Sequence, residues 1–281
     1  YKINRGNKIM SKVRLDVLLV EKGLVETRAK AQGTIMAGLV FVNGQKIDKA
    51  GTKFDIDSKV LVKGNPCPYV SRGGLKLEKA IDTFKIKLRD KICLDVGAST
   101  GGFSDCMLQN HAAKIYAIDV GYGQLDWQIR QNKKVVVMER TNVRYVKKED
   151  LHELADFAAI DVSFISLKLV LPVVKSLLNN LAEVVALVKP QFEAGKDKVE
   201  KNGVVKNLAT HKDVVFGLIN FCKSIGLQIK GLSYSPIKGP KGNIEYLLYL
   251  TKNPNEELLY DEENVIQEIE ESHIFLKGDY L

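Results

Sequence analysis

The sequence has few cysteines, and their spacing indicates neither a metal site nor a disulfide. The four cysteines are Cys67, Cys93, Cys106 and Cys222. They do not form the C-x-x-C pattern of a zinc site, and they indicate no disulfide framework. The four histidines also lack the spacing of metal ligands, so we expect no metal site. Cysteines without a disulfide pattern favour a reducing compartment, and we expect a cytoplasmic protein.

Long apolar segments are missing as well. No apolar run approaches the roughly 18 residues that a transmembrane helix requires. The first ten residues, YKINRGNKIM, are basic and lack the apolar core of a secretory signal. Met10 is a candidate initiator, which would make the residues before it an upstream extension or a cloning remnant.

Acidic residues are outnumbered by basic ones. The chain has 42 lysines and arginines against 34 aspartates and glutamates, which gives a net charge of +8. A basic excess favours an anionic partner, with nucleic acid ahead of a membrane surface. At 281 residues the chain is long enough for one large α/β domain and a smaller domain.

The smaller domain is predicted over residues 11–63. Two short helices, the second capped by Thr27, precede the strand LVFVNG with its Asn43-Gly44 hairpin turn, and KVLVKG forms a further strand. This order resembles the αL-type RNA-binding module, which is named from a small-subunit ribosomal protein. The resemblance implies that basic side chains contact RNA, although a solvated basic surface is the alternative. The candidates are Lys12, Arg14, Arg28, Lys30 and Arg72.

The larger domain is predicted over residues 71–252, after a proline-containing linker at 64–70. Its strand-like segments alternate with helical ones, which is typical of a doubly wound, mostly parallel α/β sheet. Seven strands are predicted, at residues 91–96, 114–119, 134–138, 157–162, 183–188, 227–232 and 244–250. The acidic tail, residues 253–281, is expected to be either an amphipathic surface helix or partly disordered.

The segment LDVGASTGGFSD, residues 94–105, predicts a ligand-binding loop between a strand and a helix. Its glycines do not have the G-x-G-x-x-G spacing that holds a dinucleotide pyrophosphate. Asp119, at the end of the second strand, suits the hydroxyls of an adenosyl ribose, so phosphate-free S-adenosylmethionine is the expected cofactor. Asn142 or Asp150 is expected near the adenine. The candidate loop residues are Asp95, Gly97, Ala98, Ser99, Thr100, Gly101, Gly102 and Phe103.

The same edge of the predicted sheet carries charged side chains. Asp161 closes the fourth strand and Lys189 closes the fifth. The fourth strand lacks the Asn/Asp-Pro-Pro-aromatic stretch of amine methylases, and no Pro-Cys nucleophile of cytosine C5 methylases follows it. Lysine and carboxylate suit a hydroxyl target such as a ribose 2′-OH, which needs a base to remove its proton. Lys189 is the predicted base.

A series of motifs resembles one known family. In chain order they are SRGGLKLEKAI, LDVGASTGGFSD, AIDVGYGQLDWQIR, ERTNVR, AIDVSFISL, LVKPQFEAGK, GVVK and GNIEYLLYL. Together with the αL-type module they are similar to the TlyA family, whose members are called hemolysin A and act as rRNA 2′-O-ribose methyltransferases with an FtsJ-like catalytic domain. The resemblance implies a Rossmann-like seven-stranded methyltransferase sheet, S-adenosylmethionine as cofactor and ribosomal RNA or ribosomal subunits as partner. It also implies a catalytic tetrad of Lys76, Asp161, Lys189 and Glu245.

Three other functions remain as alternatives. A membrane-active hemolysin would need a membrane-inserting segment, and liposome leakage would reveal its activity. An RNA-binding protein with an inactive methylase domain would be free to lose members of the tetrad. A nicotinamide-dependent dehydrogenase would need phosphate-spaced glycines and would bind NAD.

Overall fold

The computed structural model describes residues 12–25, 27–63, 67–256 and 261–276. The chain divides into two compact units, residues 1–72 and residues 73–281. Several predictions fall outside the described residues: the initiator Met10, the start of the smaller domain at Ser11, and residues 64–66 of the linker. Residues 257–260 and 277–281 of the acidic tail also lie outside them.

Among its described residues, the first unit has two helices and five short strands. They are β1 (Lys12–Arg14), α1 (Leu15–Glu21), α2 (Arg28–Met36), β2 (Val40–Val42), β3 (Gln45–Lys46), β4 (Lys53–Asp55) and β5 (Val60–Val62). Thr27 caps α2, because its hydroxyl accepts a hydrogen bond from the backbone N–H of Lys30 at 3.2 Å. Asn43 and Gly44 have φ values of 51° and 86°, as the predicted hairpin turn requires.

Two of these strands, β1 and β4, were not predicted. They pair antiparallel with each other, and each has three residues. A segment this short does not display the alternation by which a strand is predicted. The other sheet of the unit has the order β3-β2-β5, which joins the predicted hairpin to the predicted last strand.

The second unit alternates strands and helices along most of its length. Its elements are α3 (Gly73–Phe84), β6 (Ile92–Val96), α4 (Gly102–Gln109), β7 (Lys114–Ile118), α5 (Trp127–Gln131), β8 (Val135–Met138), β9 (Ala155–Ile160), α6 (Leu167–Ser176), β10 (Leu178–Val188), α7 (Pro190–Glu193), α8 (Leu208–Ser224), β11 (Gln228–Tyr234), β12 (Tyr246–Thr251) and α9 (Glu262–Phe275). All seven predicted strands are present. The predicted α/β class with a seven-stranded, mostly parallel sheet is confirmed.

The order of the strands creates a crevice at one edge of the sheet. That order is β11-β12-β10-β9-β6-β7-β8, and β12 runs in the direction opposite to the other six strands. The chain passes from β6 outward to β7 and β8, and it then returns to the other side of β6 as β9. In open α/β sheets, ligands bind at such a switch point, beyond the carboxyl ends of the strands.

The last strand begins later than predicted. Residues 244–250 were predicted as a strand that contains Glu245, but β12 begins at Tyr246, so Glu245 lies just before it. Tyr246 pairs with Val188, the last residue of β10. Because β12 is antiparallel, its amino end lies at the edge where the parallel strands have their carboxyl ends. This orientation brings Glu245 to the same edge of the sheet as Asp161 and Lys189.

The acidic C-terminal segment forms the helix α9 within the second unit. Asp261 caps the helix, since its carboxylate accepts a hydrogen bond from the backbone N–H of Glu263 at 2.6 Å. Val265 and Ile269 on its inner face join the core of the sheet domain. Of the two expectations for this segment, the helix is the one observed over residues 262–275. Nowhere in the described part of the chain is a helix long and apolar enough to cross a bilayer.

Candidate active site

The loop between β6 and α4 is shaped by left-handed residues. Gly97, Ser99 and Gly101 have φ values of 88°, 49° and 96°. A Cβ atom on Gly97 would lie 2.5 Å from the carbonyl oxygen of Asp161, so only glycine fits where the ends of β6 and β9 come together. Gly97 therefore serves close backbone packing at the switch point.

Asp95 supports this loop from its buried side. Its side chain is fully buried, and Oδ2 accepts hydrogen bonds from the backbone N–H of Ser104 at 2.8 Å and from the Ser104 hydroxyl at 2.6 Å. Burial raises the pKa of Asp95 to about 7. The carboxyl group thus joins the end of β6 to the first turn of α4, and it does not line the crevice.

A cavity of about 500 Å³ opens beside the loop, at the carboxyl ends of β6, β7 and β9. Four of the predicted cofactor residues line it: Gly97, Ser99, Asp119 and Asn142. The Asp119 carboxylate accepts backbone hydrogen bonds from Ser99 at 2.7 Å and from Gly121 at 2.6 Å. The cavity therefore has a half-buried carboxylate in its wall, at the end of the second strand of the sheet.

The other predicted cofactor residues build the surroundings of the cavity. Those outside its lining are Asp95, Ala98, Thr100, Gly101, Gly102 and Phe103. Ala98 and Phe103 are buried, and Gly102 begins α4. Asp150 also lies outside the lining, and its carboxylate accepts a hydrogen bond from the backbone N–H of Lys147 at 2.8 Å.

The four residues of the predicted tetrad form one cluster of ion pairs. Lys76 of α3 lies between two carboxylates, with Nζ at 2.8 Å from Glu245 Oε2 and 3.3 Å from Asp161 Oδ2. The other oxygen of Asp161 lies 2.5 Å from Lys189 Nζ. Asp161 is thus shared by both lysines, and it also lines the cavity. We call this group, Lys76, Asp161, Lys189 and Glu245, the charge cluster.

The charge cluster is shielded from water but balanced in charge. Glu245 is 1% exposed, Lys76 7% and Lys189 8%. Burial acts to lower the pKa of Lys76, but Asp161 and Glu245 outweigh it, so that pKa lies above its ordinary value. Burial acts in turn to raise the pKa of Asp161, but Lys76 and Lys189 outweigh it and hold that pKa below its usual range. Lys76 and Asp161 are therefore both charged at neutral pH.

The cavity is also lined by residues that the sequence analysis did not single out, and Ser163 and Phe164 are two of them. Ser163 lines the cavity, and its Oγ accepts a hydrogen bond from Lys189 Nζ at 2.9 Å. Phe164 also lines it, is 90% exposed and has a φ of 63°, which is strained for a bulky side chain. Both follow Asp161 within the quoted motif AIDVSFISL. An aromatic residue just after a strand end was the available signal, but the backbone strain is visible only in the structure.

The candidate RNA-binding residues lie in the first unit. Lys12 is exposed on β1, and Arg14 ends that strand. Arg28 and Lys30 lie in the first turn of α2, and the half-buried Arg72 is the last residue of the unit. Arg14 and Arg28 both bind the carboxylate of Asp16.

Known proteins match both units of the chain. Residues 69–252 match the FtsJ-like methyltransferase family, and residues 13–60 match the S4 domain. A Bacillus subtilis protein provisionally named as the rRNA methyltransferase YqxC is 53% identical, over 95% of this chain and 96% of its own length. The TlyA protein of Mycobacterium tuberculosis, named as a 16S/23S rRNA (cytidine-2′-O)-methyltransferase, is 40% identical over 85% of this chain and 90% of its own length.

A solved structure extends the match to three dimensions. It comes from Streptococcus thermophilus, is provisionally described as a hemolysin, and has 45% sequence identity with this chain and a TM-score of 0.77. The match covers 96% of this chain and 98% of that one. These findings confirm the resemblance predicted from the motifs. The chain belongs to the FtsJ-like methyltransferase family, among relatives that include TlyA, and is a methyltransferase that carries an S4 domain ahead of its catalytic domain.

Proposed function

We propose that this protein transfers the methyl group of S-adenosylmethionine to the 2′-hydroxyl of a ribose in ribosomal RNA. The observation that carries the proposal is the charge cluster, because it places lysines and carboxylates beside a ligand-sized cavity through the shared residue Asp161. The named activity of the TlyA relative supports the same reaction class and the same substrate class.

The residues around the cavity fit S-adenosylmethionine. A volume of about 500 Å³ lies in the usual range of small-molecule sites, about 300–1,000 Å³. Each oxygen of Asp119 accepts one backbone hydrogen bond, and a carboxylate has about four acceptor positions, so it can also accept the ribose hydroxyls. We assign the amino-acid portion to Gly97 and Ser99, and the adenine to Asn142. When bound, the cofactor supplies an electrophilic methyl group on a sulfonium centre.

Lys189 is our candidate for the base that removes the hydroxyl proton. Both of its partners, Asp161 and Ser163, line the cavity, whereas Lys76 is paired on one side with Glu245, which does not. Lys189 is thus the lysine of the charge cluster with two contacts at the cavity wall. We assign Asp161 to orienting the hydroxyl, and Lys76 and Glu245 to holding Asp161 in place. Positioning of this kind supplies much of the rate in transfer between two bound groups.

We assign binding of the RNA substrate to the S4 domain and to the rim of the cavity. The basic side chains of the first unit suit phosphates, which dominate the affinity of proteins for nucleic acids. The exposed ring of Phe164 offers a stacking surface to the base of a nucleotide whose ribose enters the cavity. The reaction would take place in the cytoplasm, on ribosomal RNA or on a ribosomal subunit.

The proposal is tested with purified protein, ribosomal RNA or subunits, and S-adenosylmethionine labelled in its methyl group. After digestion to nucleosides, the label should appear in a 2′-O-methylated nucleoside. A Lys189→Ala variant should bind both substrates but lose about 10²–10⁴-fold in rate. Label in a methylated base would contradict the assigned target atom. No transfer to any rRNA or subunit preparation would contradict the proposed function.

A further inference from the structure

A carboxylate in the S4 domain is buried among the side chains of two exposed arginines. Asp16, in the first turn of α1, has no solvent exposure. Its Oδ1 accepts hydrogen bonds from Arg14 Nε and from the backbone N–H of Val17, each at 3.0 Å. Its Oδ2 accepts bonds at 2.9 Å from Arg14 Nη2, Arg28 Nε and Gln32 Nε2. One side chain therefore joins β1, α1 and α2.

The arrangement is not what stability alone would favour. Burying an ion pair removes both charges from water, and apolar residues of similar volume are often as stabilising or more so. The side chains of the two arginines remain 43% and 56% exposed, so both still face solvent. The side-chain hydrogen bond from Arg14 is the largest cause that holds the pKa of Asp16 far below its ordinary value. Asp16 is thus a carboxylate at any physiological pH.

What the carboxylate does is to fix the direction of the two guanidinium groups. An arginine side chain has many rotamers, and ordering them on binding costs affinity. Asp16 orders both side chains before a ligand arrives. Arg28 donates to Asp16 through Nε, so the carboxylate does not use its two terminal nitrogens. Because Arg14 Nη2 and Arg28 Nε bind the same oxygen, the two cations lie side by side with a combined excess of one positive charge.

We propose that Asp16 is a positioning residue, which presents Arg14 and Arg28 as a preformed fork for the phosphates of RNA. Guanidinium groups bind phosphate oxygens through paired N–H donors, and this needs a fixed orientation. The inference rests on the proposed RNA substrate, and it specifies which side chains of the S4 domain bind the RNA phosphates and how they are oriented.

The substitution Asp16→Asn changes the affinity for RNA in opposite directions, depending on whether Asp16 acts through its charge or by positioning the two arginines. It removes a negative charge beside the RNA, so long-range electrostatics alone would make binding tighter. Loss of the fixed fork would make binding weaker, by about tenfold for two side chains that must now be ordered on binding. We expect weaker binding of purified ribosomal RNA by the full chain, measured by filter binding. Unchanged or tighter binding by the folded variant would overturn the proposal.

A matched control separates charge from position. Glu21→Gln removes one carboxylate from the exposed end of the same helix, and it should leave RNA binding unchanged or slightly tighter. If Glu21→Gln weakened binding as much as Asp16→Asn, the effect would not belong to the fork.

A second measurement does not depend on how the variant folds. In the free wild-type protein, NMR should show that the Nε–H protons of Arg14 and Arg28 exchange with water more slowly than that of the exposed Arg89. Equal exchange rates would refute the fork. Neither measurement requires methyl transfer, so a protein that binds rRNA through this fork without methylating it would refute the proposed reaction and leave the fork standing.

Discussion

Replacing Glu245 by glutamine should destabilise the catalytic domain. The change keeps the size of the side chain and removes one negative charge from a site that is 1% exposed. Lys76 then loses the carboxylate at 2.8 Å and keeps only Asp161 at 3.3 Å from the charge cluster. Asp161 is already shared with Lys189. Two buried lysine side chains would therefore compete for one carboxylate.

The magnitude follows from the burial of the pair. Removing one partner of a buried ion pair costs about 3–5 kcal/mol in the free energy of unfolding, because the remaining charge is left without compensation. Asp161 remains, and the glutamine oxygen can still accept a hydrogen bond from Lys76. We therefore expect the lower figure of about 2–3 kcal/mol. In a domain of this size, that loss lowers the unfolding temperature by about 4–12 °C.

The assay is thermal unfolding by calorimetry at pH 7, with Glu200→Gln as the control. Glu200 lies 2.8 Å from Lys206, the same distance as in the buried pair, but its side chain is 46% exposed. An exposed pair contributes less than about 1 kcal/mol, so the control should unfold close to the wild-type temperature. Equal shifts for the two variants, or no shift for Glu245→Gln, would refute the argument from burial.

Three further predictions concern the cavity, its supporting loop and the proposed base. Asp119→Ala should weaken S-adenosylmethionine binding by about 1–3 kcal/mol, measured by calorimetry, and an unchanged affinity of this variant would remove Asp119 from the cofactor site. The same calorimetry should find no NAD binding by the wild type. Because burial raises the pKa of Asp95 to about 7, from about 3.9 in an unfolded chain, the folded protein holds a proton that the unfolded chain releases between these values. The free energy of unfolding should therefore fall by at most about 4 kcal/mol from pH 4 to pH 7 because of this group. Urea unfolding of Asp95→Asn at several pH values should lack this part of the pH dependence, and an equal pH dependence in both proteins would mean that Asp95 does not titrate in this range. Lys189→Arg keeps the positive charge but removes a possible base, so the methyl-transfer rate should fall at least about 100-fold, whereas near-normal turnover would leave Lys189 a purely electrostatic role.

The central strands of the catalytic domain were predictable because their apolar segments are buried on both faces. The predicted segment FAAIDV, for example, overlaps β9, ADFAAI, which is almost entirely buried. The local pattern of the last strand reveals neither its direction nor the residue at which it begins. Glu245 was predicted inside the strand, because it lies in an apolar segment, but it precedes β12. It reaches the charge cluster through the antiparallel pairing of β12 with β10.

The partners in the site were less predictable than its motifs. Lys76 is an ordinary helical lysine by its local sequence, and its bond to Glu245 spans 169 positions of the chain. The family resemblance grouped the two, but no local pattern does. The loop motif also predicted a ligand-binding loop, but it did not distinguish Gly97, which lines the cavity, from the buried Asp95 behind it. Which side chain faces a cavity depends on backbone angles that a motif does not specify.

The central claim, methylation of a ribose in ribosomal RNA by the charge cluster, is tested most directly in cells. Ribose methylation is mapped at nucleotide resolution on rRNA from cells with the intact gene, with the gene deleted, and with the gene encoding Lys189→Ala. Our account predicts at least one ribose methyl group that is present with the intact gene and absent, or nearly so, in both other strains. Identical maps from all three strains would contradict it.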